Sequence, residues 1–254
     1  MPLSSSDRFL GHAEAYAKYR PSYPDAAIDL LQARCGLKRG ATAVDLGSGT
    51  GILSALLLQR GARVFGVEPN REMRAFAERM LAGEFHTAPG TAENTCLPDR
   101  CCDLLVAGQA FHWFDPEKTR VEALRILKPD AWAALLWNER RKGLIPFLEE
   151  YEALLRRYAA EYDAIAQLRA QEDGISRFFG RPPQRAVFPN EQVLDFEGLA
   201  GRVMSASYAP TPERPEHGPL MAGLREVFER HQRAGRIVFP YQTLVFFGQP
   251  DRPA

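Results

Sequence analysis

The run Val44-Asp45-Leu46-Gly47-Ser48-Gly49-Thr50-Gly51, continued by Ile52 to Gln59, constrains this chain more than any other stretch. An apolar strand end enters a turn with glycine at three alternate positions, and an apolar helical run leaves it. Glycine has no Cβ, so the backbone can take positive φ and come close to a ligand, beside the free N–H groups of a helix N-terminus. This is a nucleotide-type loop. The spacing departs from the dinucleotide fingerprint, because Gly51 comes one residue early and Ile52 occupies the fingerprint's last position. No Gly-Lys-Ser/Thr follows, so a Walker loop is absent as well.

A second element lies where a ligand at that loop needs it. Val64-Phe65-Gly66-Val67 is a short apolar β-type run ending in Glu68. As a parallel strand beside the first, it delivers that carboxylate to the same crevice, where it can accept from two ribose hydroxyls. Pro69 stops the strand. Asn70 can cap a helix whose apolar positions Met73, Phe76, Ala77, Met80 and Leu81 recur at helical spacing, with Met73 placed to pack on an adenine face.

The chain has 254 residues, 45% of them hydrophobic, which is enough for one full core with a small appended subdomain. Lys+Arg and Asp+Glu both number 32, and this zero balance argues against nucleic acid as a main partner. The four cysteines contain no C-x-x-C pair, so neither a zinc site nor a disulfide framework is expected. Residues 1–7 lack the apolar stretch of a signal peptide, and the longest apolar run, Ala131 to Trp137, is too short to cross a bilayer. A cytoplasmic protein without a membrane partner is expected.

Along the chain, periodicity predicts helices over 25–34, 51–60, 70–82 and 116–127, and strands over 41–46, 63–68, 85–88, 103–107 and 131–137. That alternation implies a doubly wound, mostly parallel α/β sheet with helices on both faces. Pro129 and Asp130 predict a turn before the last of these strands. From 144 the rhythm changes, and residues 144–183 read as an inserted helical cap. A β pattern at 185–194, helices at 196–205 and 217–233 and a strand pair or hairpin at 236–247 complete the chain, with a proline-rich loop over 208–219. The organisation is one domain, 1–254, with residues 1–24 as an N-terminal lid.

Four stretches resemble the class I S-adenosylmethionine (SAM)-dependent methyltransferases, in particular the small-molecule type related to trans-aconitate methyltransferases. They are Tyr16 to Pro24 (YAKYRPSYP), Val44 to Gly51, Gly90 to Glu93 with Leu97-Pro98, and Gly108 to Phe114 (GQAFHWF). The resemblance implies a seven-stranded Rossmann-like sheet, SAM as methyl donor and S-adenosylhomocysteine (SAH) as product. It implies that Asp45 and the backbone of Gly47, Ser48, Gly49 and Gly51 hold the methionine part of SAM. Glu68 takes the ribose, with Pro69 and Met73 beside it. Thr91, Ala92 and Glu93 border the adenine, Gln109 lines the crevice beneath the sulfonium, and Arg20 clamps the donor carboxylate from the lid.

Methyl transfer from a sulfonium needs positioning and desolvation more than acid–base chemistry. A base helps only where the acceptor must lose a proton, and His112, after a strand end at the crevice, is the candidate. Tyr16, Tyr19 and Tyr23 of the lid, with Trp113, Phe114 and Trp137, can wall an aromatic pocket. The expected partner is therefore a small-molecule acceptor methylated on O, N or C, the protein being a monomer or homodimer. The same fold also serves nicotinamide-dependent oxidoreductases and SAM-binding proteins that transfer no methyl.

Overall fold

The computed structural model describes residues 13–81, 83–140, 145–164 and 172–251. Seven strands form one sheet in the order β3-β2-β1-β4-β5-β7-β6. They are β1 (Thr42–Leu46), β2 (Arg63–Val67), β3 (Phe85–Ala88), β4 (Cys102–Gly108), β5 (Leu127–Arg140), β6 (Gln184–Leu194) and β7 (Ile237–Gly248). The first five pair in parallel, whereas β7 runs antiparallel to both β5 and β6. Strand order reverses between β1 and β4, and the crevice outside their carboxyl ends is the switch point where ligands of such sheets bind.

Period-two alternation distributes the central strands between two cores. Val44, Leu105, Ala107, Ala133 and Leu135 face one layer, which α5 (Pro116–Ile126) and α7 (Glu172–Phe179) cover through Ile126 and Phe178. Ala43, Leu104, Val106, Ala134 and Leu136 face the other, covered by α2 (Asp25–Arg34) and α3 (Ile52–Gln59) through Ile28, Leu31 and Leu57. Strands apolar on both faces are what a parallel sheet between helices requires. Asn70 caps α4 (Arg71–Met80) by accepting from Met73 N–H at 3.0 Å, as its position predicts.

A third core lies at the carboxyl edge. There α6 (Pro146–Tyr158), α8 (Phe196–Met204) and α9 (His217–His231) bury Tyr151, Leu199, Leu224 and Phe228 against Phe239 and Tyr241 of β7. The segment expected as one inserted cap therefore divides, because α6 joins this core while α7 packs on the main sheet. Residues 144 and 165–171 of that segment lie outside the described residues, as do 1–12 of the expected lid.

Two further expectations are corrected. The strand pair at 236–247 is one twelve-residue strand, long enough to pair with β5 and β6 on its two edges. The turn at Pro129–Asp130 is instead a register shift inside β5, with Asp130 at φ +61°, that the strand survives because its pairing with β4 resumes at Trp132. The short α1 (Ala13–Tyr19) docks on α8. Tyr19 Oη and Lys18 Nζ each donate to Glu197 at 2.9 Å, and the Tyr19 ring lies so close against Gly201 that a Cβ there would overlap it.

Candidate active site

Backbone geometry builds the site first. Gly47, Gly49 and Gly51 have φ of +65°, +55° and +85°, the left-handed region that side chains with a Cβ resist. Space separates their roles. A Cβ at Gly47 would meet Ala110 at 2.6 Å and one at Gly51 would meet Leu81 at 2.5 Å, but one at Gly49 has only a backbone oxygen, at 4.0 Å. Gly47 and Gly51 let the chain pack, and Gly49 borders open space.

Glu68 joins the loop directly. Its carboxylate accepts from Gly49 N–H at 3.0 Å and from Asn70 N–H at 2.8 Å, and each oxygen retains a second lone pair. The N–H groups of Gly47 and Ser48 both donate to Val67 O, and that of Gly51 to Ser48 O. At Gly47, Ser48, Gly49 and Gly51 the N–H groups are thus spent on shaping the loop. A carboxylate entering here needs another partner.

Two cavities, of about 800 and 590 Å³, meet over the loop and share Tyr16, Gly47, Gly49, Gly108, Gln109 and Trp113. Glu68, Pro69, Met73 and Phe114 line the smaller, apolar one. Arg20, Asp45, Ser48, Thr50, Asn138 and Arg202 line the larger, polar one. The hydroxyls of Ser48 and Thr50 and the Arg20 Nε are buried without a hydrogen-bond partner, an arrangement that costs free energy until a polar ligand meets them.

Electrostatics separate the two acids from ordinary carboxyls. Burial pushes Asp45 up to about 7, against a hydrogen bond from Ser54 Oγ at 2.7 Å, and the neighbouring Glu68 charge adds to the rise. Burial also raises Glu68, although the bonds from Asn70 and Gly49 pull the other way. Cations balance them across the cavity. Arg20 donates through Nη2 to Ser205 O at 2.8 Å and lies over the Tyr16 ring at 4.9 Å. Burial first, then the adjacent Arg202 charge, hold its guanidinium below the ordinary value.

The sequence-predicted residues fall into two groups. Tyr16, Arg20, Asp45, Gly47, Ser48, Gly49, Glu68, Pro69, Met73 and Gln109 all line the joined crevice. Tyr19, Gly51, Thr91, Ala92, Glu93 and His112 line neither cavity. Tyr19 holds α1 to α8, Ala92 is buried in the main core, and Glu93 accepts from Asp115 N–H at 2.9 Å. Thr91 pairs with Asn94 in a turn, and the His112 ring packs beside Trp113 at 4.7 Å.

Arg202 and Asn138 were not foreseen. Asn138 is a hub, accepting from Thr243 Oγ1 at 2.5 Å and Asn190 Nδ2 at 3.0 Å while donating to Ser22 O at 3.1 Å. Nothing in its local pattern marks it. Arg202 did leave a signal: it occupies the face of α8 that buries Leu199 and Val203, where a charge is out of place.

The sheet order is that of the class I methyltransferase fold, and residues 44–135 match the family described as a methyltransferase domain. The chain is 38% identical over 130 residues to an uncharacterised methyltransferase of Mycobacterium tuberculosis, covering 51% of either chain. The match thus spans about half that relative's length. A methyltransferase-like protein of Schizosaccharomyces pombe is 26% identical over 240 residues, 93% of either chain.

Among solved structures, one from Anabaena variabilis, described as a methyltransferase of antibiotic biosynthesis, has a TM-score of 0.61 at 21% identity, covering 90% of this chain and 98% of that one. A Haemonchus contortus N-methyltransferase, bound to phosphomonomethylethanolamine and SAH, has 0.55 at 14%, covering 97% and 58%. At such identities these likenesses are of fold. Among the described residues no helix is long and apolar enough to cross a membrane.

Proposed function

We propose that this protein transfers the methyl group of SAM to a small-molecule acceptor. The observation that carries this reading is the 3.0 Å bond from Gly49 N–H to Glu68, which fixes the glycine turn and the acid at the two sides of one crevice. When bound, SAM supplies a methyl group on a positive sulfur and leaves as SAH.

The residues present fit that group. Glu68 has free lone pairs for the ribose hydroxyls, and Pro69, Met73 and Phe114 offer apolar faces to the adenine. Asp45 offers a carboxylate to the ammonium, and the Arg20 fork suits the carboxylate that the loop's bonded N–H groups do not receive. Tyr16 and Trp113 border both cavities and exclude water where the two ligands meet, so orientation in a dry pocket supplies most of the rate, up to about 7–11 kcal/mol in favourable models. His112 lines neither cavity, so this reading gives it no part as a base.

The zero net charge supports a small acceptor over nucleic acid, and four free cysteines support a reducing, cytoplasmic setting. Calorimetry with SAM, SAH and NAD tests the donor, the expected result being binding of the first two and none of the third. Binding of NAD alone would transfer the protein to the oxidoreductases. Binding of SAM with no SAH released in the presence of metabolite extracts would mark a SAM-binding protein that transfers no methyl.

A further inference from the structure

We propose that Asn138 is a positioning residue for the whole crevice: its side chain holds the segment Arg20 to Tyr23 down over the polar cavity, and its main chain holds Gln109 in the facing wall. The proposal rests on the methyl-transfer reading for what the crevice contains, and its own support is a hydrogen-bond network that joins both walls at one residue.

The segment that follows α1 cannot hold itself. Pro21 and Pro24 have no N–H to donate, and residues 21–24 form neither helix nor strand. Side-chain amides meet its carbonyls instead. Gln192 Nε2 donates to Tyr19 O at 3.1 Å and Asn190 Nδ2 to Ser22 O at 2.7 Å, while Asn138 Nδ2 donates to Ser22 O at 3.1 Å and to Pro21 O at 3.4 Å. Held in this way, the segment keeps Arg20, Pro21 and Tyr23 in the lining of the polar cavity.

Asn138 is the centre of that clamp. It is 8% exposed, and its Oδ1 accepts from Thr243 Oγ1 at 2.5 Å and from Asn190 Nδ2 at 3.0 Å. The opposite orientation of its amide would set one NH2 group against another and an oxygen against two carbonyls, so these partners fix which way it points. Thr243 is its register partner on β7, which ties the clamp to the sheet.

The facing wall hangs on the same residue. Gln109 follows β4 with φ +57°, a left-handed conformation that a residue with a Cβ keeps only where its surroundings impose it. Here β5 imposes it, because Gln109 N–H donates to Leu136 O and Gln109 Nε2 to Asn138 O, both at 2.9 Å. Gln109 lines both cavities, and the Tyr23 hydroxyl lies so near Gly108 that a Cβ there would meet it at 2.5 Å. Asn138 therefore sets the spacing between the two walls. Methyl transfer is an in-line displacement, and a misplacement of about 1 Å between reacting groups can cost about 100-fold in rate.

The test compares wild type, Asn138→Ala, Gln109→Ala and the double variant by two readouts: amide hydrogen exchange along the chain, and the rates of SAH binding and release followed by tryptophan fluorescence. In Asn138→Ala, exchange over residues 13–23 and SAH release each quicken about 10-fold, the value of one hydrogen bond. Exchange of β1 and the rate of SAH association stay near wild type, which a general loosening of the fold would not allow. Release from the double variant is quickened by less than the product of the single effects, because both act through Asn138. Should Asn138→Ala not fold, Asn190→Ala removes the other donor to Ser22 from outside the cavities and gives the same contrast between residues 13–23 and β1. Unchanged exchange over 13–23, quickening of β1 in step with it, or singles that simply multiply would overturn the positioning role. Failure of SAH to bind the wild type overturns the methyl-donor reading instead, and hydrogen exchange still decides the clamp.

Discussion

Replacing Asp45 by asparagine probes the crevice through the stability of the whole chain. Asp45 is 1% exposed, and burial raises its carboxyl from 3.8 to about 7. Below the unfolded value the group is protonated in both states. Between about 4 and 7 the native chain holds a proton that the unfolded chain has released, so stability falls as pH rises. Above the native value both states are ionised and the loss is complete, on the order of 4 kcal/mol at 1.36 kcal/mol per pKa unit.

The amide introduced by Asp45→Asn cannot ionise, yet its carbonyl oxygen accepts from Ser54 Oγ as the carboxylate does at 2.7 Å. The variant therefore gains on the wild type across that interval, by up to about 4 kcal/mol near pH 8. Glu122, which Arg125 holds down to about 2, works in the opposite sense at lower pH, and comparing the two chains cancels it. Urea denaturation followed by tryptophan fluorescence at about pH 5 and pH 8 measures the difference. A gap between the chains that stays constant across this range would refute a buried, elevated Asp45.

Gly49→Ala strains only a left-handed backbone with open space around it, costing folding about 1–2 kcal/mol. Its Cβ enters the ligand's space, so SAH affinity measured by calorimetry drops by more than stability does. Glu68→Ala removes the acceptor for Gly49 and, on the proposed function, for the ribose, so SAH affinity falls sharply while the fold persists by circular dichroism; unchanged affinity would count against the site. Gly201→Ala drives a methyl group into the Tyr19 ring, so α1 lifts from α8 and limited proteolysis cuts near residue 20 sooner, with little change in melting temperature. His112→Ala retains wild-type turnover with saturating acceptor, since the ring lines neither cavity; a collapse of turnover at unchanged SAH affinity would restore it as a base.

Local pattern alone determined the first four strands and the middle of the fifth, the glycine turn, the acid after the second strand and the capped helix that follows. Each depends on neighbours a few residues away: alternation, a missing Cβ, a cap two or three positions from the N–H it binds. The same locality explains why Asp45, Glu68 and Arg20 were legible as lining one crevice, because sheets of this order bring strand ends together. Tertiary structure alone decided what lines the crevice. It divided the expected cap between two cores, turned the final hairpin into one long strand, spent the loop's N–H groups on Val67, Glu68 and Ser48, and left Thr91, Glu93 and His112 out of the two linings. It also brought Arg202 to Arg20 from more than a hundred residues away in sequence, and Arg140 within electrostatic reach of Arg202. Such charges meet only when α8 and β5 pack around the crevice, and no periodicity records a partner that distant.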